Sequence, residues 1–348
     1  MAGSVKNIVI GGGTGNIGKY LVSSLIKGGH NVSVISRQAW ALNKASKVAP
    51  ADGARHQMAK NFISWKDIDK DGLPLDTDVV INLSGQSIGK PGPWVNSIKK
   101  SITSSRIDTT TKLAKAIAKS EAPPKLFISA SAVGVYGLDA EKTYTESDPP
   151  VAKGKETYFT DLCLKWEESS KLTEECQTRV VNPRFGVVLA YNTDPMRILL
   201  PQGLLFGGTV VGSGEQPFPW IHIDDTVSAL EMMIENEEVS GPVNFVAPQI
   251  VDNSQFTRAL ADACMTSVQK ITLPAPLVRL MYGTERADCI LLDSPKVVPQ
   301  KLLDFGFQFQ HKDIDSAMKA MVDSLEGCTT PGMRVFKMVI GRNKKAAK

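Results

Sequence analysis

Short apolar runs rich in β-branched residues recur along the chain, and after most of them apolar side chains return every three or four positions. Residues 5–10 form the first such run, the pattern of a strand buried on both faces of a parallel sheet. Ile17, Leu21, Leu25 and Ile26 follow at helical spacing, and Gly28 and Gly29 mark where that helix stops. A second run at 31–36 completes a strand–helix–strand unit of the expected length, about 30 residues. The alternation continues. Residues 78–83 (DVVINL) predict a strand, 94–119 a long helix ended by Pro123 and Pro124, 125–130 (KLFISA) a strand and 158–173 an amphipathic helix, and 179–189 begins as a strand. This rhythm predicts an α/β fold with a doubly wound parallel sheet, whose ligands lie beyond the carboxyl ends of the strands. Past residue 189 the pattern becomes irregular and rich in glycine and proline, which predicts a smaller C-terminal lobe over the sheet.

Glycines punctuate the first unit where chemistry needs them. Gly13, Gly15 and Gly18 have G-x-G-x-x-G spacing, and Gly12, Gly15 and Gly18 read the same loop as G-x-x-G-x-x-G. Such a turn lets backbone approach a pyrophosphate closely, and the helix behind it offers free N–H groups and a positive dipole end. Set between a strand and a helix, the motif predicts a Rossmann-type dinucleotide site; the alternative is a glycine-rich turn without a ligand. The end of the second strand selects the dinucleotide. NAD sites place an acidic residue there, about 20 residues on, to accept from the ribose 2′-OH. Ser36 and Arg37 stand at that point, and no acidic residue occurs before Asp52. A guanidinium and a hydroxyl suit a 2′-phosphate, so the predicted coenzyme is NADP(H). The plainer alternative for Arg37 is a solvated side chain after a strand.

Bulk properties narrow the class further. The 348 residues carry a net charge of +4 with the signs well mixed, which argues against a nucleic-acid partner. The basic cluster at 342–348 reads as a solvated tail. No apolar run is long enough to cross a bilayer, and Ala2 stands where N-myristoylation requires glycine. A first strand starting at residue 5 leaves no room for a signal or transit peptide. Cys163, Cys176, Cys264, Cys289 and Cys328 are scattered without a C-x-x-C pair. Reduced thiols and a cytoplasmic location are therefore expected. The four histidines, His30, His56, His222 and His311, have no ligand spacing, so no metal site is expected. Gly207, Gly208, Gly212 and Gly214 surround the apolar residues 209–211 and precede Phe218 and Trp220. That segment either closes over a small ligand or packs as a turn beneath the second lobe.

The series GGGTGNIG, VISR, INLSGQSI, SSRIDTTTKLAKAI, FISASAVGVYG, TESDPP, VVNPRFGVVL and FPWIHIDD resembles the extended short-chain dehydrogenase/reductases, specifically the atypical branch called the epimerase family, or nucleoside-diphosphate-sugar epimerase-like proteins. Residues 273–309 resemble the short C-terminal domain of that branch, so the likeness runs from about residue 5 to 322. The resemblance implies a nucleotide-binding domain over 1–190 with contributions from 220–246, a substrate lobe over 191–330 that includes 273–322, and a basic tail at 331–348. It implies that Gly12, Thr14, Gly15, Asn16, Ile17 and Gly18 hold the pyrophosphate, and that Ser36 and Arg37 meet the 2′-phosphate. Leu83, Ser84 and Gly85 would line the ribose and diphosphate. Ser129 to Ser131 would sit near the nicotinamide, as would the backbone around Pro183 to Val188. Arg106 matches a family arginine that turns toward the cofactor; the alternative is an exposed helix charge. His222, Asp224 and Asp225 match an I-H-x-D-D signature and read as structural, with Asp224 and Asp225 standing where a helix N-cap belongs. The sequence itself is silent on oligomeric state, although pairing through long helices is common in the superfamily and a homodimer is the state the resemblance would allow.

The catalytic residues depart from the superfamily pattern of Ser/Thr followed by Y-x-x-x-K. Ser131 is a counterpart of the serine, but aligning on Glu167 places Phe159 at the tyrosine and Cys163 at the lysine. A phenyl ring carries no proton and a thiol supplies no cation. Tyr158 lies one residue away, about 100° round a helix, and Lys165 is two past Cys163, about 200° round. The two share a face but stand roughly 10 Å apart along the axis. Tyr136 is the other candidate proton donor, its alternative being a hydroxyl that only orients a ligand. Cys163 reads as a packed thiol rather than a nucleophile, since no cation lies near it in sequence. The expected activity is thus an NADP(H)-dependent oxidoreductase on an unidentified small molecule, with protons from Ser131, Tyr136 or water. The alternatives are a non-catalytic NADP(H) sensor or scaffold and, third, a nucleotide-sugar epimerase.

Overall fold

The computed structural model describes residues 4–46, 59, 61–89, 92–151, 157–206, 208–266 and 272–327. Gly207, His56, Cys328 and the tail at 331–348 lie outside the described residues. The chain runs through β1 (Asn7–Gly11), α1 (Asn16–Lys27), β2 (Asn31–Ile35), α2 (Ala39–Ser46), β3 (Asn61–Ile63), α3 (Trp65–Asp71), β4 (Val79–Asn82), α4 (Asn96–Ala118) and β5 (Leu126–Ser129). It continues through β6 (Ser131–Ala132), β7 (Thr143–Tyr144), α5 (Tyr158–Glu168), β8 (Arg179–Phe185), β9 (Val187–Leu189), α6 (Asp194–Phe206), β10 (Trp220–His222), α7 (Ile223–Glu235) and β11 (Gly241–Phe245). After these come α8 (Asn253–Ala263), α9 (Ala275–Tyr282), α10 (Thr284–Ala287), β12 (Lys296–Val297), α11 (Gln300–Asp304) and α12 (Ile314–Asp323).

The main sheet has the order β3-β2-β1-β4-β5-β8-β11, with β6 alongside β8. Every pairing in it is parallel. Sequence order reverses direction between β1 and β4, which opens the crevice where open α/β sheets take their ligands. The two-residue period of a strand explains the layers. Ile8, Ile10, Val34, Ile81 and Ile128 join the core that also holds Leu21, Leu25 and Leu230 from α1 and α7. Val9, Ile35, Val80 and Phe127 point the other way, onto Ile68 of α3 and Leu113 and Ile117 of α4. A sheet covered on both faces explains why the strands read as unbroken apolar runs.

A separate core joins Met196 and Leu200 of α6, Phe256 and Leu260 of α8, and Met318 and Met321 of α12 to Trp220. Two small parallel pairs complete the molecule: β9 with β10, and β7 with β12, which ties residues 143–144 to 296–297. Among the described residues no helix is long and apolar enough to cross a membrane.

Three departures from the sequence reading have physical causes. The run 179–189 is two strands, because the chain breaks at Gly186 to pass the backbone of Pro219; a Cβ there would meet the Pro219 oxygen at 2.7 Å. The helix expected over 158–173 stops at Glu168, where Ser169 and Ser170 donate their hydroxyls to the carbonyls of Trp166 and Glu167, each at 2.7 Å. The helix cap expected at Asp224 or Asp225 is instead His222, whose Nδ1 accepts from the Asp224 N–H at 3.3 Å. The segment 208–214 is a packed turn. A Cβ on Gly208 would meet Thr257 at 2.5 Å, Gly212 N–H donates to the Leu273 carbonyl, and Trp220 is buried.

Candidate functional site

The β1–α1 turn is built for close backbone approach. Gly12 has φ +78°, and a Cβ on it would meet the Leu83 carbonyl carbon and oxygen at 2.6 Å, so only glycine lets the turn lie against the loop after β4. Gly18 lies against Gly12 O and Gly13, which seats α1 on the turn. Helix α1 has Gly15 as its N-cap, with no side-chain cap and no acidic residue in its first turn. Thr14 and Gly15 are exposed, and Asn16 and Ile17 are half-buried. The free N–H groups and positive end of α1 therefore face outward, beyond the carboxyl end of β1, as an anion site requires.

One wall of the crevice follows β4. Asn82 fixes it: its Oδ1 accepts from Ser84 N–H at 3.1 Å and its Nδ2 donates to Thr110 at 2.9 Å. Leu83 N–H donates to Gly11 O at 2.8 Å, which ties this wall to the turn. Arg106 of α4 is buried beneath the same loop. Its Nη1 donates to Gln86 O at 2.9 Å and Ile102 O at 3.2 Å, and its guanidinium lies 5.0 Å from the Trp166 ring. A Cβ on Gly85 would touch that guanidinium at 3.1 Å. Burial lowers the Arg106 pKa from its ordinary value. At the other wall, Ser36 is buried and its Oγ accepts from Gln38 N–H at 3.1 Å, with no acceptor for its own proton among the described residues. Arg37 beside it is exposed and makes no hydrogen bond or ion pair among the described residues.

At the carboxyl end of β5, Ser129 is fully buried and its Oγ has no hydrogen-bond partner among the described residues. A buried hydroxyl in that state awaits a partner. The crevice thus offers a dinucleotide a glycine cradle, an uncapped helix end and, among the described residues, an unpaired guanidinium at the rim and an orphan hydroxyl. Val188, expected near the nicotinamide, is buried in β9 against β10.

The acid/base region differs. Ser131 Oγ donates to Glu167 Oε1 at 2.7 Å, and Arg184 of β8 grips both oxygens of the same carboxylate at 2.8 and 2.9 Å. Arg184 Nη1 donates to the Tyr136 hydroxyl at 2.9 Å, and that hydroxyl reaches Asn244 Oδ1 at 2.8 Å and Thr145 O at 3.0 Å. Burial opposes the charge on Arg184, but its bonds to Glu167 outweigh this and hold its pKa above the ordinary value. Burial raises the Tyr136 pKa, against the pull of Arg184. Phe159 and the Cys163 sulfur pack on Gly134, where a Cβ would meet the ring at 2.5 Å. Burial pushes the Cys163 thiol up to about 12, the state of an inert packed thiol. Tyr158 turns away to donate to Lys99 O at 2.9 Å, and Lys165 pairs with Asp161 at 2.7 Å. The Glu167–Arg184–Asn244 part of this network carries no local sequence motif, since its members come from α5, β8 and β11.

Comparison with known proteins agrees with this architecture. The model of the NAD dependent epimerase/dehydratase family matches residues 8–246, and a domain of unknown function, DUF1731, matches residues 273–321. The chain is 38% identical over 319 residues to the epimerase family protein SDR39U1 of Mus musculus, covering 90% of this chain and 99% of that protein. It is 32% identical over 322 residues to the epimerase family protein YfhF of Bacillus subtilis, covering 91% and 98%. Among solved structures it is similar to human epimerase family protein SDR39U1 with NADPH, at a TM-score of 0.80 and 33% identity, covering 91% of this chain and 99% of that one. A family model spanning most of the chain, together with relatives aligned nearly end to end, shows that the chain belongs to the epimerase family and carries its DUF1731 domain.

Proposed function

We propose that this chain binds NADP(H) in the crevice between β1 and β4 and acts as an oxidoreductase on a small carbonyl or alcohol. The uncapped α1 N-terminus behind Gly12 is the observation that carries the reading. Support also comes from the human relative crystallised with NADPH. Gly12 to Gly18 would hold the diphosphate through backbone N–H groups, with Ser36 and Arg37 on the 2′-phosphate. Arg106 holds the loop that shapes the ribose side, and Ser129 offers its unpartnered hydroxyl at the far end. The coenzyme when bound supplies or accepts hydride. This chain must then move the proton, and Ser131 is the hydroxyl best placed to do so; Glu167, which already accepts its hydrogen bond, orients it.

A second reading, a coenzyme-binding sensor or scaffold, is favoured by Phe159, by the raised pKa of Cys163 and by a Tyr136 hydroxyl already engaged in three hydrogen bonds. Sugar epimerisation ranks behind both, because the aligned tyrosine base is Phe159. Fluorescence titration with NADPH and NADH tests the shared part. NADPH should bind more tightly, and Arg37→Ala should weaken NADPH at least about tenfold while leaving NADH unchanged, the effect of losing one charged hydrogen bond. Equal binding of the two coenzymes by the unaltered chain would refute the Arg37 assignment. Turnover of NADPH across a library of carbonyls separates the two readings: binding without turnover selects the sensor.

A further inference from the structure

His222 and His311 are far apart in sequence, yet the fold places their rings 4.0 Å apart between centroids. The carboxylate of Asp224 stands beside both, with Oδ2 3.4 Å from His222 Nδ1 and 3.6 Å from His311 Nε2. All three ligand-capable atoms lie within 4.8 Å of one another. We propose that His222, Asp224 and His311 form a binding site for a divalent first-row transition-metal ion, with zinc as the representative, which clamps the segment before α12 onto the β10–α7 junction.

The two carboxylate–imidazole separations are long for hydrogen bonds yet match ligand atoms around one ion, and the ring nitrogens, within 4.8 Å of each other, would draw together on binding. Tetrahedral zinc with bonds of about 2.0–2.1 Å to nitrogen and oxygen sets its ligand atoms about 3.3–3.4 Å apart. Two imidazoles and one carboxylate are also the donor set that such ions prefer, whereas magnesium and calcium favour all-oxygen sets. His222 is buried, and its imidazole would have to coordinate in its neutral form.

The surrounding structure orders the site. Both oxygens of Asp225 accept from the backbone of the C-terminal segment, at 2.6 Å from Gln310 N–H and 3.1 Å from His311 N–H. His311 is therefore held in place by α7 before any ion arrives. Asp224 is largely exposed, which gives an entry path and leaves room for water to complete the coordination. The positive end of α7 opposes a cation, and Asp224 and Asp225, both in the first turn of that helix, counter it. An ion would displace the long Asp224 N–H contact to His222 Nδ1.

The test uses the full chain, stripped with a chelator and free of coenzyme, so its outcome is independent of the NADP(H) reading. Cobalt titration followed by visible absorption, and zinc titration followed by thermal unfolding, should show one bound ion and a rise in Tm. His311→Gln and Asp224→Asn should each weaken binding at least about tenfold, the loss already seen when only an outer partner of a metal ligand is removed. His30→Gln should leave binding unchanged. Circular dichroism of each stripped variant establishes that it folds. No uptake by the unaltered chain, or uptake that His311→Gln leaves intact, would overturn the proposal.

Discussion

At the β1–α1 turn, polar groups are left facing outward: α1 has no side-chain cap, Thr14 and Gly15 are exposed, and the Arg37 guanidinium has no partner among the described residues. Around Arg184 the opposite holds. Ser131, Glu167, Arg184, Tyr136 and Asn244 satisfy one another inside the fold. The first region is poised for a ligand, and the second is a hydrogen-bonded brace that holds the Tyr136 hydroxyl and orients Ser131 through Glu167. The contrast explains how a chain can retain the coenzyme crevice of its family while lacking the tyrosine and lysine of the wider superfamily. Binding needs backbone shape and a charge at the rim, whereas proton transfer needs a hydroxyl that can give up its proton: Tyr136 is held by Arg184, Asn244 and Thr145, while Ser131 is bound to Glu167 alone.

The sharpest way to break the comparison is to open the brace. Arg184→Met leaves the Glu167 carboxylate mostly buried without its countercharge, which should cost about 3–5 kcal/mol in denaturant unfolding. The pair Arg184→Met with Glu167→Leu removes both charges and should recover much of that loss. Coenzyme affinity should hold in both variants. A cost below about 1 kcal/mol, the range of exposed ion pairs, would show that the network is no brace. Next in size, Gly12→Val acts on the other region. Its side chain would meet the Leu83 backbone from a positive-φ position. NADPH affinity should fall about a hundredfold or more, roughly 3 kcal/mol, by fluorescence titration. Retained affinity would remove the cradle from the argument.

The two regions were unequally legible in the sequence, for the same physical reason that separates them. The turn is local: strand, glycines and helix lie within a single stretch of chain, so spacing alone predicted the unit that β1, α1 and β2 form. The brace is non-local, because β8 and β11 lie side by side with α5 above them only once the sheet is wound. Sequence could note that Phe159 and Cys163 replace the expected pair, but not that Glu167 and Arg184 would occupy Ser131 and Tyr136. The approach of His222 to His311 was hidden in the same way. Ligand spacing is a local test, and His222 and His311 meet only through the path of the C-terminal segment. Short elements were also missed: β3 has three residues, too few to show a period, although Ser64 and Asp67 form a readable capping box for α3.

The smallest expected effect sharpens the comparison at the rim of the brace. The Tyr136 hydroxyl reaches the carbonyl of Thr145, and Asp148 holds Thr145 by accepting from its N–H at 2.8 Å and its Oγ1 at 3.0 Å. Lys142, first among the causes, and these bonds to Thr145 lower the Asp148 carboxyl from 3.8 to about 2. The folded state therefore holds its proton less tightly than the unfolded chain does. The stabilisation is complete above the unfolded value and is lost as pH falls from about 4 toward 2. Asp148→Asn should be slightly less stable than the unaltered chain at neutral pH, with the difference shrinking across that acid window. Denaturant midpoints measured from neutral pH downward check it. A difference that stays constant through the window would show that the Asp148 carboxylate does not hold Thr145, the partner of the Tyr136 hydroxyl.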